Sequence, residues 1–226
     1  MAAGNRTRPL IAIDGPVGAG KSTVARKLAS EIGFTYLNTG AMYRAVAIAA
    51  RNAGLAPNSP DLAQRLSLLL GPISIRFDGE KLLLNGDDVS DELRNPLISD
   101  LASQFSTIAE VRTRLRELQR AAGAEGGVVM EGRDIATAVF PDAEFKFYLD
   151  ADARVRARRR YLELKSQGVE IEFDDVFKQL IERDRRDSGR EIAPLMRAAE
   201  AIVIDCSNLT IEQVVDQIKS QIQRSD

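Results

Sequence analysis

Gly15-Pro-Val-Gly-Ala-Gly-Lys-Ser22 is the stretch whose residue types and spacing most directly imply chemistry. Its three glycines let the backbone bend until successive N–H groups converge, and N–H groups gathered at a helix start attract phosphate oxygens. In a G-x-x-x-x-G-K-S pattern, Lys21 reaches the outer phosphates of a nucleotide and the Ser22 hydroxyl is available to Mg²⁺. The cradle comprises Gly15, Pro16, Val17, Gly18, Ala19, Gly20, Lys21, Ser22 and Thr23. Asp14, just before it, either orients a water bound to Mg²⁺ or satisfies loop amides. No Asn in the chain is followed by Lys, so the Asn-Lys-x-Asp guanine reader of GTP-hydrolysing switches is missing. Transfer of the terminal phosphate to a small acceptor fits better.

Such a transfer needs cations to neutralise charge spread over the moving phosphoryl group, and arginine does this best. The 226 residues include 24 Arg against 7 Lys. Ten of the arginines lie between 133 and 190, about twice the density elsewhere. The chain has no His and one Cys, which excludes a His-based triad, a His general base and any His-containing zinc site. An acceptor phosphate is already anionic near neutral pH, so no general base is required. A net charge of −2 argues against a general nucleic-acid binder. The polar, basic start and the lack of any apolar run near 20 residues predict a soluble, cytoplasmic protein without a membrane partner. Cys206 follows an apolar run and reads as a small buried hydrophobe.

Elements must position these groups. Leu10–Asp14 reads as a strand, and Lys21 to Ile32, with Val24, Leu28 and Ile32 at helical spacing, as a helix. Phe34 to Leu37 predicts a second strand, and Ala41 to Ala53 a helix stopped by Gly54 and Pro57. Ile73 to Phe77 and Lys81 to Leu84, with Asn85-Gly86 behind them, predict an inserted antiparallel hairpin or meander. A long helix is expected from Ile98 to about Ala122. Val128–Met130, Phe145–Leu149 and Ala201–Ile204 read as strands, and 152–165 and 174–186 as charged helices. Thr210 with Gln213 forms a capping box for a last helix. Strands alternating with helices imply an α/β fold with a parallel sheet.

Asp14-Gly-Pro-Val-Gly-Ala-Gly-Lys-Ser22, Asn38-Thr-Gly-Ala-Met-Tyr-Arg44, Glu131-Gly-Arg-Asp-Ile135, Val139-Phe-Pro-Asp-Ala143, Arg183-Asp-Arg-Arg-Asp187 with Arg190, and Ala193-Pro-Leu195 together resemble bacterial-type cytidylate kinases. The resemblance runs from Ile11 to about Ile218. It implies a three-layer P-loop kinase fold with a central parallel sheet, formed by a single domain over 1–226. It also implies a nucleoside-monophosphate-binding insertion at about 39–122, with its β meander at 73–89, and a helical lid at about 154–170. The implied reaction moves the γ-phosphate of Mg-ATP to CMP or dCMP, in a monomer.

By the same resemblance, Arg44 and Arg133 clamp the CMP phosphate with Tyr43 beside it. Thr39, Arg112, Asp134 and Arg190 read the cytosine, while Ser103, Arg183 and Asp187 hold the pentose. Arg156, Arg159 and Arg160 close over the ATP phosphates. Cytosine offers an amino donor and two acceptors, which suits a carboxylate or hydroxyl beside Arg. Asp184, Arg185 and Arg186 read as surface, and Arg154 and Arg158 as a solvated helix face. The sequence departs from the family pattern at Thr39, Asn38, Glu131 and Ala136, none of which removes every donor or acceptor. Another small acceptor, or a nucleotide-binding module without catalysis, would share the cradle but not the cytidylate-type motifs.

Overall fold

The structure is a computed structural model in which residues 6–79 and 81–224 are described. In chain order the elements are β1 (Leu10–Asp14), α1 (Lys21–Ile32), β2 (Thr35–Asn38), α2 (Thr39–Asn52), α3 (Leu62–Leu70), β3 (Ile75–Asp78), β4 (Lys81–Leu84) and β5 (Asp87–Asp88). A 3₁₀ turn at Glu92–Arg94 leads to α4 (Pro96–Phe105), α5 (Ala109–Gly123) and β6 (Val128–Glu131). A π-helical turn at Ile135–Val139 precedes β7 (Phe145–Asp150), α6 (Ala153–Ser166), α7 (Phe173–Ser188), β8 (Ile202–Asp205) and α8 (Ile211–Gln223).

Residues 6–37 and 123–224 form one compact unit. Its five-stranded sheet has the order β2-β6-β1-β7-β8. All five residues of β1 are buried, which suits an apolar run covered on both faces of a sheet. β1 runs parallel to β6, with Ile11 opposite Val129, and to β7, with Ile13 opposite Phe147; β7 and β8 are also parallel. Val24 and Leu28 of α1 and Val214, Val215 and Ile218 of α8 pack with Ile11, Ile13, Phe147 and Ile204 in one core. Chain order reverses about β1, and ligands of open α/β sheets sit outside the carboxyl ends of the strands at such a point. Every strand of this sheet ends there in a carboxylate or an amide: Asp14, Asn38, Glu131, Asp150 and Asp205.

Residues 38–122 form the second unit. Antiparallel strands β3-β4-β5 pair Phe77 with Leu82 and Leu84 with Asp87, so the expected meander has a short third strand. Its core contains Val46, Ile48, Leu66, Leu82, Ile98, Phe105, Val111 and Leu115. The continuous helix expected from Ile98 to Ala122 is instead two helices. Ser106 Oγ donates to the Ser103 carbonyl and Thr107 Oγ to that of Gln104, and these local bonds favour a break over another turn. α3 was not expected from the sequence; its Leu66 and Leu70 are buried at i, i+4 spacing while Leu68 faces solvent. α2 starts at Thr39, before its alanine run, because the Asn38 side chain accepts from the Ala41 N–H and caps it.

α8 carries the capping box expected from Thr210 and Gln213. Thr210→Ala removes the side-chain half of it. This is expected to cost about 1 kcal/mol and to lower the thermal midpoint by roughly 2–4 °C, read by a melting curve; an unchanged midpoint would show the cap to be unimportant.

Candidate active site

The loop between β1 and α1 requires glycine by close approach. Gly15 has φ +147°, and a Cβ there would stand 2.0 Å from the Leu149 carbonyl oxygen of β7. Gly18 has φ +78°, and its Cβ would meet the Arg156 carbonyl oxygen at 2.9 Å. The loop is thus pressed against the end of β7 and the start of α6. Lys21, the first residue of α1, is buried and its Nζ donates to the Pro16 carbonyl at 2.7 Å. Burial and the nearby Arg133 push the Lys21 ammonium down to about 7, against the pull of Glu131 and Asp14.

Two carboxylates flank this lysine. Asp14 is 2 % exposed, and its two oxygens accept from the N–H groups of Ile135 at 2.9 Å and Ala136 at 2.8 Å. Burial pushes its carboxyl up to about 7 even though both amides favour the charged form. Of the two roles open to Asp14, the bonds to loop amides are the one visible here. Glu131, at the end of β6, is also buried, and its Oε1 accepts from Ser22 Oγ at 2.7 Å and from the Tyr36 hydroxyl at 3.2 Å. Burial and Glu131 push the Tyr36 phenol well above its ordinary value, so it serves as a donor.

The Ser22–Glu131 pair offers hard oxygen donors and a hydroxyl whose proton already has an acceptor, which suits Mg²⁺. No group of three or more acidic or thiol side chains able to hold a metal occurs among the described residues. One hydroxyl beside one carboxylate fits an ion that brings most of its ligands as water and substrate phosphate, as Mg²⁺ does.

A second cluster follows β6. Arg133 Nε donates to Asp187 Oδ2 at 3.0 Å, and Arg190 pairs with the other oxygen of the same carboxylate. Against the effect of burial, Arg133, Arg190 and Arg183 hold the Asp187 carboxyl below its ordinary range. Asp134 is buried directly beside Arg133. Of the residues expected at the acceptor, this unit therefore gathers Arg133, Asp187 and Arg190, with Arg183 close enough to act on Asp187. In the other unit, Thr39 is buried at the start of α2, and Tyr43 and Arg44 are half-buried one turn later. Ser103 is buried on α4; Arg112 on α5 is buried, donates to the Ser106 carbonyl at 3.1 Å and lies over the Tyr43 ring.

The three arginines expected over the donor differ. Arg156 is buried and bound to Val17 of the loop at 3.0 Å. Arg159 donates to the Cys206 carbonyl at 2.6 Å, and Arg160 makes an i, i+3 pair with Glu163. Cys206 itself is buried, as its sequence context suggested.

Asp184 was expected on the surface; it is instead 19 % exposed and pairs with Arg156 at 2.6 Å. The signal was present in the spacing, because Val176, Leu180, Asp184 and Asp187 recur at i, i+4, i+8 and i+11 along one helix face. In the sequence Glu131 stands out only as a departure from the family pattern, and its bond to Ser22 joins residues 109 positions apart, which no local signal carries.

Asp14→Ala leaves two buried N–H groups without an acceptor. The expected loss is about 2–4 kcal/mol, or roughly 5–15 °C in thermal midpoint, with Asp14→Asn intermediate; a midpoint within 2 °C or so of the parent would contradict the anchoring role.

A sequence profile described as Cytidylate kinase matches residues 11–224. Cytidylate kinase from Geobacter sulfurreducens is 46% identical, covering 100% of this chain and 97% of its own. Cytidylate kinase from Syntrophotalea carbinolica is 49% identical over 92% of this chain and 89% of its own. A shikimate kinase from Bacteroides thetaiotaomicron superposes with a TM-score of 0.50 at 12% identity, over 95% of this chain and 98% of that one, and supports the kinase fold alone. With a family match over almost its whole length and relatives near half identical from end to end, the chain belongs to the cytidylate kinase family.

Proposed function

We propose that this protein transfers the γ-phosphate of Mg-ATP to CMP or dCMP, giving ADP and CDP or dCDP. The observation that carries the reading is the juxtaposition of a phosphate cradle with the Ser22–Glu131 pair and the Arg133–Asp187–Arg190 cluster within one unit. Loop N–H groups from 15–22 receive the β- and γ-phosphates. Lys21 exchanges the Pro16 carbonyl for a phosphate oxygen, a short move for a side chain already buried at the loop. Ser22 and Glu131 hold Mg²⁺, which when bound neutralises charge on the phosphates. Arg133 clamps the acceptor phosphate with Arg44, and Tyr43 packs beside it. Thr39, Arg112, Asp134 and Arg190 recognise the base, and Ser103, Arg183 and Asp187 the pentose. Each acceptor-side arginine that turns to the substrate leaves Asp187 with a free oxygen, which suits a carboxylate destined for sugar hydroxyls. Arg156, Arg159 and Arg160 stabilise the transferred phosphoryl from the α6 side. The lid closes beyond Arg159, because Arg156 and Arg159 are tied down at the base of that helix.

An assay of ADP formation with CMP, dCMP, UMP, AMP and shikimate tests the acceptor. CMP or dCMP is expected to give the highest kcat/KM; equal rates with UMP or AMP refute the assignment. In the same assay Lys21→Ala is expected to lower kcat by about 100-fold or more without loss of fold, whereas Arg133→Ala mainly raises KM for CMP.

Lys21 also links donor binding to pH. Its free pKa near 7 leaves it mostly neutral at pH 8, while phosphate oxygens favour the ammonium. Donor binding therefore takes up a proton above pH 7, and affinity falls as pH rises, by up to roughly tenfold per unit. Calorimetry at pH 8 in buffers of different ionisation enthalpy reads the uptake; a result near zero, or one unchanged in Lys21→Met, contradicts it.

A further inference from the structure

Arg156 lies on the first turn of α6 and against the phosphate loop, since a Cβ on Gly18 would stand 3.0 Å from the Arg156 Cβ. Two of its three guanidinium nitrogens are fixed by protein acceptors. Nε donates to the Ala151 carbonyl at 2.8 Å, and Nη1 donates both to the Val17 carbonyl at 3.0 Å and to Asp184 Oδ2 at 2.6 Å. Nη2 makes no hydrogen bond to the described residues and is not among the buried side-chain atoms that lack a partner, so it is the accessible end left for a ligand. The fork is planar, and fixing one edge sets the direction of the other.

Asp184 reaches Arg156 from α7, and its own geometry is poor as a device for stability. Its Oδ1 is buried and has no hydrogen-bond partner among the described residues. A buried carboxylate with half its acceptor capacity unused costs more than it returns in stability, and apolar replacements of such pairs are often neutral or better. Orientation is the better account. One turn further along α7, Asp187 holds Arg133 and Arg190 in the same manner. The two carboxylates thus align, from one helix, a cation at the donor loop and the cations assigned to the acceptor.

We propose that Asp184 is a positioning residue for phosphoryl transfer: together with the Val17 and Ala151 carbonyls it holds the Arg156 guanidinium so that Nη2 meets the phosphates of the donor nucleotide. This rests on the reading that the loop binds a nucleoside triphosphate. The gain is preorganisation, because a cation already aimed at developing charge need not reorganise during the reaction.

A double-mutant cycle on the whole chain tests this, with kcat, KM for ATP, KM for CMP and the thermal midpoint measured for each protein. Asp184→Asn is expected to lower kcat about 10- to 100-fold, while KM for CMP stays within about twofold of the parent. Arg156→Ala is expected to lower kcat at least as far. Combining the two is expected to be no worse than Arg156→Ala alone, because Asp184 acts through that arginine. Asp184→Ser, also uncharged, serves the same comparison if the Asn variant does not fold. Asp184→Asn with parental kcat, or a double variant that loses both factors in full, overturns this inference alone. Parental activity in Arg156→Ala, or failure of the parent chain to phosphorylate CMP, overturns the proposed function of these residues and this inference together.

Discussion

Asp14 is the point where sheet geometry becomes site geometry. Its backbone closes the central strand, paired with Tyr148 of β7, and its side chain bonds the amides that open the π-helical turn after β6. The segment carrying Arg133 and Asp134 is therefore tethered to the residue from which the phosphate loop departs. Burial raises the carboxyl pKa, so the fold holds this carboxylate in an unfavourable place for the sake of the connection. Removal of the tether would loosen two loops at once, whereas most residues at strand ends serve only the loop that follows them.

The same economy recurs among the arginines. Few of those near the sheet's carboxyl edge wait in solvent: Arg133 is tied to Asp187, Arg156 to Asp184 and loop carbonyls, and Arg159 to the Cys206 carbonyl. Guanidinium forks held in this way lose less conformational freedom when an anion arrives. A cluster of unpaired arginines would also repel itself, so the aspartates make the assembly of the cationic surface possible before any phosphate is present. With no histidine in the chain, the side chains brought closest to neutral titration among the described residues are Lys21 and Asp14, both moved there by burial.

Much of this could be read from local sequence. The Lys21 helix, the β meander and the Thr210 capping box depend on neighbours within a few residues, and they appear where periodicity and turn residues placed them. The break at Ser106 is not legible in the sequence because apolar spacing continues across it, while the hydroxyl bonds that stop the helix are a competing local choice. α3 is hidden in the sequence because it is short and part of its leucine content faces water. In the site, the cradle was legible as a motif, but the partners of Ser22 and Arg156 come from distant elements. Asp184 shows the limit most clearly: helical spacing put it on the buried face, yet its charge argued for solvent, and only the position of Arg156 resolves the conflict.

The inserted unit also dictates an order of assembly. Pairing Leu10 with Val128 joins the central strand to its neighbour across the entire 38–122 segment. That segment has its own core and a sheet built from adjacent strands, so its contacts are local and form rapidly once it leaves the ribosome. The nucleotide-binding sheet, begun first, must wait for β6 and β7 before β1 gains its flanking strands. During synthesis the phosphate loop therefore exists for a time beside an unpaired strand that is apolar from Leu10 to Ile13, and a nascent chain stalled before β6 would expose that strand while the insertion is already complete.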